Sequence, residues 1–415
     1  MMLRAFFLLV VLVLFGAPAS AAPEVVRREP VSRAVPPMMF YVVKGAPDAC
    51  GRGCDSWIAV EGQVDGAAAP RFKKFLQTLG NRDLPIYLSS PGGNLDHALA
   101  MGAMLRERRA TARVGRTLVS DCGFEAQDSP ACLKLKQSGR VLHGDLFTRG
   151  TNCNSACPYL LLGATDREVA PDALLAVHSA KVVVHFRGGG QPSAEVRAAA
   201  NQRGRERADR MLSAYIAKMG ADAGLFDLVR SIRFESMHVL TREEIVRFGI
   251  DRREMAETPW KFENSVRGMV SKAAAVREEG GKSWRLSQWR IVCASSEQFE
   301  LNFQRPASAA GATAAVAISG LGPTPRHFNS PPVKLHGFEI WGLRLTHASV
   351  QGLTSAPQFE FTESVQAADG RRLARAAKFS TEGLAVALTT LVATCPPPKN
   401  IVLRQSVGAH EGAAK

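Results

Sequence analysis

The chain has 415 residues, more than one ordinary domain needs and comfortable for two. Hydrophobic residues make up 46% and charged residues 22%, which excludes a wholly disordered chain. The net charge is +14, but the clearest basic run, residues 197–210, mixes Arg with Glu and Asp and contains no aromatic residue. That pattern reads as a solvated helix face, so no nucleic-acid partner is expected.

Residues 1–21 have the layout of a signal peptide: Arg4, an apolar run over residues 5–15, then Ala19-Ser20-Ala21 as the cleavage site. The apolar run is too short to span a bilayer, and no later segment has eighteen uninterrupted apolar residues. The expectation is an exported, soluble, periplasmic protein. Residues 22–54 are rich in Pro, Ala and Arg and read as a leader, apart from the apolar "MMFYVV" run. All eight cysteines follow the signal peptide, and an even number in an oxidising compartment favours disulfides. Chain order suggests neighbouring pairs: 50 with 54, 122 with 132, 153 with 157, and 293 with 395. The His and Cys spacings match no common zinc pattern, so neither a metal nor another cofactor is expected.

Residues 55–255 alternate strand and helix. "WIAVEG" reads as a strand. "APRFKKFLQTLG" has Phe72, Phe75, Leu76 and Leu79 at helical spacing, and "LPIYLSS" is a second strand broken sharply by Pro-Gly-Gly. "NLDHALAMGAMLRERRA" is a second helix. Residues 121–150 lose periodicity and read as an inserted surface loop. "SACPYLLLGA" is an apolar helix, "ALLAVHS" a strand, and residues 194–219 a long amphipathic helix. In "MHVLTREEIVRFGID", Thr241 with Glu244 three residues on forms a capping box. Strand–helix alternation argues for an α/β domain on a largely parallel sheet. Residues 256–395 hold short β-rich runs between Gly, Pro and Ser turns, which predicts a smaller, mainly antiparallel domain. Residues 396–415 read as a loose tail.

Three segments carry chemistry together. "YLSSPGG" ends a strand with Gly92 and Gly93, whose backbone amides can turn toward a ligand as an oxyanion hole requires. Ser155, just before an apolar helix, stands near the positive end of the helix dipole. His178 ends a strand and has a pKa suited to moving protons near neutral pH. Taken singly, these are more often a tight turn, a helix cap and a structural histidine. Lys181 reads as an exposed lysine rather than as a base.

Strand–SPGG–helix, a serine between paired cysteines, Gly163 and Arg167, a histidine 23 residues after the serine, and the closing "VLTREEIVRFGID" resemble the Clp-type serine peptidases of the wider Clp/crotonase fold. The resemblance spans residues 55–255. It implies Ser155 as nucleophile and His178 as general base, with the backbone N–H groups of Ala156 and of Gly92 or Gly93 as oxyanion donors. It further implies hydrolysis of peptides or unfolded protein and assembly into a homo-oligomer; no ATPase partner is expected in the periplasm. One position departs from the family: counting back twelve residues from Gly249, its aspartate falls on Met237. Glu235, on the same side of a strand, is the weak candidate third member, ahead of Asp227 and Asp172. The alternatives are a Ser–His dyad or a degenerate site, and with the latter a binding or assembly module that keeps the fold. A crotonase-like acyl-CoA enzyme is disfavoured by export.

Overall fold

The computed structural model describes residues 35–395, except 185, 187–191, 264–267, 279–282, 296, 308–313, 323, 330 and 367–371. The expected signal peptide, residues 22–34 of the expected leader and the expected tail from 396 lie outside these. From Pro36 onward the described residues belong to one compact unit.

The first half is built on a seven-stranded sheet. Its strands are β1 (Met39–Lys44), β2 (Ser56–Glu61), β3 (Ile86–Ser89), β4 (Thr111–Val114), β5 (Arg116–Val119), β6 (Leu142–Phe147) and, after a short strand β7 (Asn152–Asn154), β8 (Asp166–Glu168). The order is β5-β6-β1-β2-β3-β4-β8. β1 with β2 and β5 with β6 are antiparallel; the other pairs are parallel. Two expectations change here. Met39–Lys44, counted with the leader, is a central strand: Tyr41 and Val43 are buried on one side of it, and Met38 and Val42 on the other. Residues 121–150 are not a surface loop, since they supply β6 and the helix α3 (Pro130–Lys136). Their lack of apolar periodicity reflects cross-linking by Cys122–Cys132 and an ion pair of buried Lys136 with Glu61 at 3.4 Å.

Helices α1 (Ala68–Leu79) and α2 (Leu95–Glu107) cover the sheet, with Phe72, Leu76, Met101 and Leu105 buried at helical spacing. The short helix α4 (Cys157–Gly163) is buried throughout and packs on α2. That contact is close because both helices present glycine: a Cβ on Gly163 would lie 2.1 Å from the Gly102 carbonyl oxygen. A second, three-stranded sheet runs β10-β9-β7, where β9 is Leu174–Val177 and β10 is His238–Val239. Helices α5 (Ala194–Lys218), α6 (Gly224–Ser231) and α7 (Arg242–Arg247) complete this half, and Thr241 and Glu244 form the capping box that starts α7. Arg106 and Arg167 bind the carbonyls of Leu162 and Met219, and Arg167 also binds that of Gly249. They thereby satisfy acceptors left open where α4, α5 and α7 end.

The remainder, from β11 (Met255–Glu257) to α9 (Leu384–Thr394), is two antiparallel sheets with two helices. Trp289 packs at 5.2 Å, 4.8 Å and 5.4 Å from the rings of Phe359, Phe361 and Phe379, which lie in the other sheet. Four disulfides, Cys50–Cys54, Cys122–Cys132, Cys153–Cys157 and Cys293–Cys395, follow the neighbouring pairs suggested by chain order. This is the covalent chemistry of an oxidising environment. Among the described residues no helix is long and apolar enough to cross a membrane.

Candidate active site

Ser155 stands in the turn between β7 and α4 with φ at 58°, a conformation uncommon for a residue with a side chain. Three contacts impose it. The Ser155 N–H donates to the Ala176 carbonyl at 2.9 Å, tying the turn to β9. Ser90 brackets β7 from the other side, donating its N–H to Asn152 O at 3.0 Å and accepting at its own carbonyl from Asn154 N at 2.9 Å. The Cys153–Cys157 disulfide spans the turn. Ser90 therefore holds the Ser-Pro-Gly-Gly turn against the serine, so closely that a Cβ on Gly92 would lie 2.5 Å from the Ser155 Cβ. Only glycine fits there.

The same packing sorts the oxyanion candidates. The Gly92 N–H is spent on Ser90 Oγ at 3.1 Å. The Gly93 and Ala156 N–H groups have no partner among the described residues, and both residues line the cleft that Ser155 lines. Gly93, not Gly92, is thus the glycine whose amide is free for an oxyanion.

His178 follows β9 directly and lines the same cleft, whose volume is about 890 Å³. Its Nδ1 lies 2.8 Å from the Ser179 carbonyl. A carbonyl only accepts, so the proton belongs on Nδ1 and Nε2 keeps its lone pair. The Phe234 ring packs edge-on against the imidazole at 5.0 Å. Ser155 and His178 line one cleft but share no hydrogen bond. The opposite wall is the extended segment 179–184 and the α5 face around Gly204 and Met211.

The third member fails in an informative way. The Glu235 side chain is 70% exposed and faces Arg233 at 3.8 Å, away from the imidazole. It precedes β10, which is only two residues long, so strand alternation never governs it. Asp172 lines a different cleft, and Asp227 on α6 makes no hydrogen bond to His178. β10 pairs antiparallel with β9 only as His238 with Val177 and Val239 with Ala176, and the Ser179 N–H already donates to the Ile232 carbonyl, so Met237 and His178 lie just beyond the paired residues. Met237 is half-exposed. Lys181 is exposed, its ammonium 5.6 Å from the centre of the Phe234 ring.

Sequence reasoning missed Ser90 and Phe234. Ser90 lay inside the "SSPGG" motif but was read only as part of a turn; nothing in "RFES" marks Phe234. Among the described residues no cluster of His, Cys, Asp and Glu has the arrangement of a metal site.

No protein-family model matches the chain, and no curated protein matches it. Among solved structures, one similar chain is a membrane-bound stomatin-specific protease, in mutant form. It shares 14% identity at a TM-score of 0.27, over 46% of this chain and 73% of that one, a level of likeness that supports neither a shared fold nor a shared activity.

Proposed function

We propose that the protein is an exported serine hydrolase of the Clp/crotonase class, acting as a peptidase on peptides or unfolded protein through a Ser155–His178 pair. The observation that carries this reading is the turn itself: a strained serine between strand and helix, with two unengaged backbone amides beside it and a correctly protonated imidazole in the same cleft. Such strain concentrates at functional sites. In the proposed reaction the Ser155 hydroxyl passes its proton to His178 Nε2 as Oγ bonds to the substrate carbonyl carbon. The Gly93 and Ala156 N–H groups hold the resulting oxyanion. His178 returns the proton to the leaving amine as the C–N bond breaks, and water, deprotonated by the same imidazole, hydrolyses the acyl ester.

The competing reading is a Clp-like protein that binds without turnover. It is favoured by two observations: no hydrogen bond joins Ser155 to His178, and no carboxylate among the described residues contacts the imidazole. Labelling with a fluorophosphonate separates the two. The hydrolase reading expects covalent labelling of the wild type, none in Ser155→Ala, and a slowing of about a hundredfold or more in His178→Ala. A folded wild type that never labels leaves the binding module as the correct reading.

A further inference from the structure

A second cleft, of about 420 Å³, shares no lining residue with the Ser155 cleft. It is walled by the Cys50–Cys54 loop, by the ends of β4 and β6, and by residues 253–263, 271–272 and 380–382. That volume is in the range of small-molecule sites. Its walls are charged, and most of the charges are spent on one another. Arg113 and Arg253 both pair with Glu168, at 3.1 Å and 2.9 Å. Arg149 holds Glu263 at 2.6 Å, and fully buried Lys272 holds Glu257 at 2.8 Å.

Four charged side chains on the lining make no ion pair among the described residues: Lys261 and exposed Arg52, and Glu382 and Asp172. Lys261 has no carboxylate partner among the described residues; its Nζ donates to the Ala49 carbonyl at 3.4 Å. The Glu382 side chain has neither an ion pair nor a hydrogen bond there, although its backbone is fixed by Trp260 and Ser380. Lys261 lies within the fields of Asp145 and Glu382, yet it closes into an ion pair with neither. Burial pushes the Lys261 ammonium below the ordinary lysine range and the Glu382 carboxyl above the ordinary carboxylate range. Each is therefore held at a cost that a counter-charge would remove. Asp172 adds a buried Oδ1 with no partner on the same lining.

We propose that this cleft binds a small zwitterion, a free amino acid or a dipeptide, with the ligand carboxylate on Lys261 and its ammonium on Glu382. A lone anion would satisfy the lysine and leave the glutamate unpaired; a lone amine would do the reverse. Only a ligand carrying both charges answers both walls. The site shares no residue with the Ser155 cleft, so the inference stands apart from the proposed hydrolysis.

Calorimetric titration of the whole protein tests it with four probes: alanine, alanyl-alanine, propionate and ethylamine. Alanine or alanyl-alanine is expected to bind and raise the melting temperature, with propionate and ethylamine at least tenfold weaker. Lys261→Met and Glu382→Gln, each checked for an unchanged circular-dichroism spectrum, are each expected to weaken binding at least tenfold. Ser155→Ala is expected to leave it unchanged. Retained affinity in both wall variants, propionate binding as tightly as alanine, or no binding by either zwitterion would overturn the proposal. A protein that binds alanine but never labels with a fluorophosphonate would sustain this site and sink the hydrolase.

Discussion

The orientation of His178 rests on a backbone carbonyl and on the Phe234 ring, because no carboxylate among the described residues contacts the imidazole. Ser179 O selects the tautomer but carries no charge, so it stabilises an imidazolium less than a carboxylate does. This makes Met237 the informative position. Met237→Asp puts a carboxylate at the position where the resemblance expects the aspartate, next to the β9–β10 pair and at a half-exposed site, where the folding cost is small. In a Ser–His–Asp enzyme the orienting carboxylate is worth about four orders of magnitude in turnover. The expected outcome is fluorophosphonate labelling at least tenfold faster than wild type, read from the labelling rate. An unchanged rate would show that His178 is not limited by its orientation. The turn positions of Ser155 and Ala156, and a free amide at Gly92 or Gly93, were legible because they lie within short motifs whose local geometry is implied by glycine and by the helix start. Glu235 was misread because its placement depended on a strand that ends before reaching it.

At the scale of elements, the site is a junction. β7 is held between Ser90 and β9, α4 is drawn in against α2 by Gly102 and Gly163, and the turn between them has little freedom left. Holding a residue such as Ser155 at positive φ costs about 1–3 kcal/mol and persists only where its surroundings over-determine it. The Cys153–Cys157 bond is the one covalent part of that constraint; it closes a short loop, worth about 2 kcal/mol, and both cysteines are fully buried. Replacing both cysteines by serine is expected to keep the circular-dichroism spectrum and to lower stability by about 2 kcal/mol or more, read from the denaturation midpoint. The labelling rate of Ser155 is expected to fall about tenfold, as the turn relaxes. Equal labelling rates would show that the hydrogen bonds alone hold the turn. The pairing of these cysteines was readable from chain order. The role of Ser90 was not, because it depends on two strands distant in sequence meeting at one residue.

Across the whole molecule, the most consequential polar group is Asp251. It is fully buried, accepts from Val169 N at 3.0 Å, and is bound by Arg242 at 2.8 Å and Arg253 at 2.6 Å. Burial alone would raise its pKa, but the hydrogen bonds and charges of Arg253 and Arg242 outweigh it and hold the carboxyl far below the ordinary range. A depressed folded-state pKa contributes stability that is full above the unfolded value, near 4, and is lost as pH falls further. Urea denaturation is therefore expected to show stability declining below about pH 4. Asp251→Asn is expected to cost about 3–5 kcal/mol at pH 7, since it leaves two arginines short of their counter-charge. It should also flatten the acid limb. A variant as stable as wild type at pH 7 would remove Asp251 from this role.

The sequence by itself determined what local chemistry governs: the helices with apolar periodicity, the Thr241 capping box, the neighbouring disulfides, and the serine and histidine at their turns. These follow from contacts a few residues apart. The tertiary structure alone decided the place of Met39–Lys44 inside the sheet, the choice of Gly93 over Gly92, the isolation of Glu235 and the meeting of Lys261 and Glu382 in one cleft without an ion pair. Each of these depends on which distant group receives a hydrogen bond or a charge, and that is settled only when the elements pack.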